Sequence, residues 1–75
     1  MAVTMSPPRN ASSHIHSLGY DDETGTMVVQ FTKGGTYHYP GVDKTTFLDM
    51  KYHESPGEFF HRNVRGKVKH IKVDR

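Results

Sequence analysis

The sequence predicts an α+β domain: a small three-stranded antiparallel meander followed by two short helices, with the C-terminal end as a candidate fourth strand. Three observations predict it. Residues 26–32 alternate apolar and polar side chains, glycine-bearing turns stand on either side at 21–25 and 33–35, and two helix-start signatures follow Pro40-Gly41. Seventy-five residues, 33% of them hydrophobic, allow one module with a thin core. Leu, Ile, Val and Phe together number fifteen, so the eight aromatic residues must supply much of the packing.

Residues 1–13, with Pro7-Pro8 and no periodicity, read as a flexible lead-in that contributes nothing to the fold. Residues 14–75 form the single domain, ending in a basic tail. The stretch 14–20 is β-compatible, and Asp21-Asp22-Glu23-Thr24-Gly25 suits a type I turn closed by a left-handed residue. In the strand that follows, Met27, Val29 and Phe31 share one face, with Val28, Gln30 and Thr32 on the other. Thr36-Tyr37-His38-Tyr39 is a third strand, stopped by Pro40-Gly41.

The first helix is expected from Asp43 as N-cap to about Tyr52, with Val42 and Phe47 as a hydrophobic staple. Ser55-Pro56-Gly57-Glu58 starts the second, with Ser55 as N-cap, Pro56 at the first turn and Glu58 closing a capping box. Gly66 sits where a glycine ends a helix. Beyond it Ile71 and Val73 share one face of a short extended segment.

Charge and composition exclude several functions. With no cysteine there are no disulfides, thiolate zinc sites or cysteine nucleophiles, and a cytoplasmic setting is the default expectation. No apolar run is long enough for a membrane span. The net charge of +2 conceals an asymmetry: residues 21–58 carry seven acids against three lysines, whereas 59–75 carry six bases against Asp74. A basic end of this kind suits a phosphate-binding surface and equally an ordinary solvated tail.

Leu18-Gly19-Tyr20-Asp21, Thr24-Gly25-Thr26, Phe31, Gly34-Gly35, Tyr37-His38-Tyr39, Gly41-Val42, Ser55-Pro56-Gly57, Phe59-Phe60 and Val64-Arg65-Gly66 occur in an order and spacing that resembles the KTSC domain. That family occurs at the C-terminus of some lysyl-tRNA synthetases and as short free-standing bacterial and phage proteins, and a Tyr-x-Tyr is its central mark. The resemblance covers about residues 14–67. It implies a common fold and an RNA-binding role of the kind suggested for the family.

The direction of Tyr37 and Tyr39 depends on the preceding turn, because side chains in a strand alternate with period two. If Lys33-Gly34 is a two-residue turn, Gln30 pairs with Tyr37 and both rings leave the apolar face. If Lys33-Gly34-Gly35 is a three-residue turn, Phe31 pairs with Tyr37 and both rings join it. Two glycines fit either geometry. Exposed, the two tyrosines would form a stacking platform, each worth about 1 to 3 kcal/mol per base, with Arg62, Arg65, Lys67, Lys69 and Lys72 meeting phosphate. Buried, they would pack against Phe59, Phe60 and Phe47.

Six histidines test the metal and enzyme readings. His14 and His16 point the same way on a strand but lack a third ligand at a recognisable spacing, so no metal site is expected. A cleavage site from His61 with Lys67 or Arg65 is conceivable, but nothing singles it out, and no phosphate loop is present. The expectation is therefore a non-catalytic module without cofactor that binds RNA or another single strand. Two alternatives stand beside it: a protein-binding accessory or inhibitor module, such as a phage factor aimed at a host machine, and a binder of a small nucleotide ligand. The sequence shows no oligomer interface.

Overall fold

A computed structural model describes residues 3–10, 12–66 and 68–73. Three strands, β1 (Ile15–Asp21), β2 (Thr26–Phe31) and β3 (Gly35–Pro40), lead into helices α1 (Lys44–Tyr52) and α2 (Pro56–Asn63). The chain then returns to the sheet as β4 (Ile71–Val73), giving the antiparallel order β1-β2-β3-β4. The α+β meander is as expected, and the candidate fourth strand is real although only three residues long. No helix among the described residues is long and apolar enough to cross a membrane.

The first turn follows its sequence chemistry. Gly25 is left-handed with φ of 68°, its N–H donates to the Asp21 carbonyl at 2.9 Å, and the Asp21 carboxylate accepts from the Glu23 N–H at 3.0 Å. The second turn matches neither expected register. Phe31 pairs with Gly35, Val29 with Tyr37 and Met27 with Tyr39, so the connection is Thr32-Lys33-Gly34, and Gly35 enters the strand with φ of 84°. This pairing differs from the three-residue alternative by two positions. Such a shift preserves the face, so both tyrosines join Met27, Val29 and Phe31.

Under that face lies the core, in which Leu18, Met27, Val29, Met50 and Val64 are fully buried and Tyr39, Val42 and Phe47 nearly so. Phe47 stacks on Tyr20 at 5.4 Å, and the Tyr20 hydroxyl donates to the Val42 carbonyl at 2.6 Å, tying β1 to the entrance of α1. Val42 and Phe47 are both buried as a staple requires, whereas the Asp43 side chain makes no cap bond.

The capping box expected at α2 does not form. Ser55 is the N-cap, but its backbone N–H, the group that Glu58 would accept, already donates to His53 Nδ1 at 2.9 Å. Glu58 instead faces Arg62 at 3.9 Å, one turn on. Gly66 is left-handed, with φ of 79°, two residues beyond the Val64 cap.

Residues 3–10 touch the domain at three places. Ser6 exchanges two hydrogen bonds with Leu18, of 3.0 and 2.8 Å, on the open edge of β1. Val3, Thr4 and Met5 cross directly over Gly19, where even a Cβ would lie 2.6 Å from Val3 Cγ1. Farther along, the Arg9 N–H donates to the Lys51 carbonyl at 2.8 Å and the Asn10 amide to the His53 carbonyl at 3.0 Å. The lead-in, expected to play no part in the fold, thus supplies donors to carbonyls at the end of α1 that have no partner within the helix.

Candidate functional site

A cleft of about 670 Å³ opens between the apolar face of the sheet and α2. Phe31, Tyr37 and Tyr39 form its sheet wall, and Phe60 and His61 form the helix wall with Glu58. Arg65, just past the helix, His70, just before β4, and His14, just before β1, complete its rim.

The aromatic rings form one continuous set. Tyr37 and Tyr39 lie 6.3 Å apart and 26° from parallel, Phe60 meets Tyr39 edge-on at 5.5 Å, and Phe31 meets both Tyr37 and Phe60 edge-on. His70 tilts over the two tyrosines, 5.4 Å from Tyr37 and 6.1 Å from Tyr39. Phe47 and Phe59 lie elsewhere, on Tyr20 and His53 respectively.

The two readings of the Tyr-x-Tyr divide between its members. Tyr39 is only 4% exposed and belongs to the core, whereas Tyr37 is half-buried and forms part of the cleft wall. Burial, with a smaller contribution from Tyr37, pushes the Tyr39 hydroxyl up to about 12, and Arg65 opposes this in part. Tyr39 therefore stays neutral throughout the physiological range and presents a hydroxyl, not a phenolate.

Among the cations singled out by the sequence, Arg65 lines the cleft. Arg62, three residues earlier, is exposed and faces Glu58 across the helix surface. Lys69 is exposed in the link to β4. Lys72 is the sheet partner of Tyr37 and so leaves the sheet on the same face, at the open edge of β4; it also borders a second groove, lined by Val28, Gln30, Thr36 and His38. Lys67 lies outside the described residues.

Sequence reasoning did not place His14, His61 and His70 on one cleft. The signal for His70 is the alternation of Ile71 and Val73: once His38 pairs with Ile71, the preceding residue must come beside Tyr39. His14 is brought in by the Thr32 N–H, which donates to its carbonyl at 2.8 Å. His16 does not join it, because the irregularity between Ile15 and Ser17 turns it aside, and its Nδ1 lies 2.7 Å from Ser17 Oγ. Among the described residues no three His, Asp or Glu side chains are grouped to hold a metal ion. What the cleft offers chemically is an apolar slot bordered by imidazoles, one guanidinium and the Glu58 carboxylate, which is shared with Arg62.

The chain is similar to proteins of two architectures. Over 61 residues it is 31% identical to a lysine–tRNA ligase of Trichormus variabilis, a match covering 81% of this chain but 11% of the ligase. The chain therefore spans about one-ninth of that relative's length. A protein of Tsukamurella paurometabola is 32% identical over 62 residues, which cover 83% of this chain and 92% of that protein. The crystal structure of a KTSC domain protein from Yersinia pestis superposes with a TM-score of 0.89 at 33% identity, covering 97% of this chain and all of that one. With the KTSC domain profile matching residues 11–67 as well, the chain belongs to the KTSC domain family.

Proposed function

We propose that this domain binds single-stranded nucleic acid, RNA in the first instance, by taking one unstacked base into the aromatic cleft and meeting its phosphate with Arg65. The observation that carries this reading is the convergence of Tyr37, Phe60 and His70 with an exposed guanidinium on one slot. Aromatic faces suit any base, whereas a planar cation suits phosphate. The similarity to part of a lysine–tRNA ligase, a protein whose name places it on an RNA, supports RNA over other anions. Tyr39 supports the wall from behind and Tyr37 carries the contact, so the site is a slot for one base, not an open two-ring platform. Arg62, Lys69 and Lys72 are the candidates for weaker phosphate contacts outside it, and Lys67 remains a phosphate candidate by sequence. The role is binding, without catalysis.

The test is fluorescence anisotropy of a labelled single-stranded RNA and the matched DNA at ~50 and ~200 mM salt. The expected result is salt-sensitive binding that Tyr37→Ala weakens by about tenfold or more while the protein stays folded. Absence of binding to either strand at the lower salt overturns the reading. A protein partner then becomes the better account, with Leu48 and Tyr52, exposed one turn apart on α1, as its first point of contact.

A further inference from the structure

The aromatic cleft is polarised along α2. Glu58, in the first turn of the helix, and Arg65, just past its last turn, both line the cleft. Seven residues of helical rise set their backbones about 10 Å apart along the axis. One end of the slot is therefore negative and the other positive, with Phe60 between them in the helix wall and Tyr37 on the wall opposite. A nucleotide has a matching polarity, since its phosphate is an anion and the far edge of its base carries hydrogen-bond donors.

The Glu58 carboxylate is available for such an edge. The Ser55 N–H, which a capping box would give it, goes to His53 Nδ1 at 2.9 Å. Arg62 Nη2 stands 3.9 Å from Glu58 Oε1, longer than a hydrogen bond, and neither carboxylate oxygen accepts a hydrogen bond among the described residues. The side chain is more than half exposed, so a ligand in the cleft can reach it. A carboxylate only accepts, and its two oxygens suit two parallel donors.

Stacking on Tyr37 and Phe60 is tolerant of base identity, so selection must come from the base edge. Guanine presents two donors side by side, the N1–H and the N2 amine, at the spacing of two carboxylate oxygens. Adenine and cytosine offer one amine next to a ring nitrogen that accepts, and uracil offers one N–H between two carbonyls; each sets an acceptor against the second oxygen. We propose that Glu58 reads the edge of the base in the slot and selects guanine. The inference rests on the cleft being a base site and specifies which base it takes. It makes Glu58 a specificity residue at the end of the cleft remote from Arg65.

Fluorescence anisotropy with labelled oligouridylates of about ten nucleotides tests this. Four strands are compared: all uridine, and with one central guanosine, inosine or adenosine. Inosine keeps the N1–H and lacks the N2 amine. Native protein is expected to bind the guanosine strand about tenfold more tightly than the adenosine or all-uridine strand, and the inosine strand about threefold less tightly than the guanosine strand. Glu58→Gln, first shown to be folded by its thermal transition, should bring the affinity ratio of guanosine to adenosine strand close to one. Loss of a negative charge alone would tighten every strand alike and leave that ratio as it was. If native protein binds the guanosine strand no more tightly than the others, or Glu58→Gln leaves the ratio intact, guanine selection by Glu58 is overturned and the cleft reading stands. If no strand binds native protein, the cleft reading has failed and the selection with it.

Discussion

His70 and Tyr37 lie on different elements, yet their rings are 5.4 Å apart and tilted by 58°. Pairing of β4 with β3 produces the contact, since Tyr37 faces Lys72 across the ladder and His70 is carried back over the tyrosine pair. The imidazole is thereby a wall of the cleft although its residue is exposed.

Replacing that wall should affect binding more than folding. His70→Ala is expected to weaken single-stranded RNA binding by about three- to tenfold while changing stability by less than about 1 kcal/mol. His70→Phe should retain most of the affinity, because a planar ring is what the site uses there. Anisotropy and urea denaturation on the same preparations measure both quantities, and equal loss in the Ala and Phe variants would contradict the wall assignment.

Arg65 and Arg62 should separate cleanly. Only the first lines the cleft, and the second faces Glu58. Arg65→Glu is expected to reduce RNA affinity by about tenfold or more, and Arg62→Glu by no more than about threefold. Similar losses from both, measured at one salt concentration, would point to a diffuse basic surface in place of a site.

Gly19 sets the closeness of residues 3–5 to the sheet. A side chain there would meet Val3 Cγ1 at 2.6 Å, the Thr4 carbonyl at 2.7 Å and Met5 Sδ at 2.8 Å. Gly19→Val should therefore cost about 1 to 3 kcal/mol by denaturation. In a chain lacking residues 1–5 the same substitution should cost far less, because the Val3 and Met5 side chains and the Thr4 carbonyl it strikes have gone. A penalty that survives the deletion would place the strain within β1.

Tyr39 makes stability depend on alkaline pH. Its hydroxyl is raised from 10.0 to about 12 in the folded protein, so the unfolded chain loses the proton first as pH rises. The contribution is complete below pH 10, falls between 10 and 12, and is gone above that range. Its size is of order 2 kcal/mol. Urea midpoints of native protein and Tyr39→Phe, followed from pH 8 to 11, should diverge only above about pH 10, with the variant losing less. Parallel profiles would remove Tyr39 as the cause.

Local signals in the sequence specified local structure well. Alternation in β2, acid and glycine in the first turn, and proline at the start of α2 each act within a few residues, and each element appears where those residues place it. The face taken by the tyrosines was legible only as two alternatives, because two consecutive glycines allow more than one turn and the register settled on a third. The capping box failed because His53, not Glu58, took the Ser55 N–H, a competition that residue spacing does not reveal. The cleft was least legible. Tyr37 and Arg65 were visible as residue types, but their meeting with His14, His61 and His70 depends on a three-residue strand that follows two helices.

The Ser6 bridge also has a bearing on how separate molecules behave. It occupies the N–H and C=O of Leu18 midway along an otherwise open strand edge. Stripped of that partner, β1 would offer these groups from an edge strand that carries Ile15, Leu18 and Tyr20, the template on which sheets of separate molecules join edge to edge. A chain cut after Ser6, which loses both the bond Ser6 donates and the one it accepts, is therefore expected to self-associate in a way that grows with concentration.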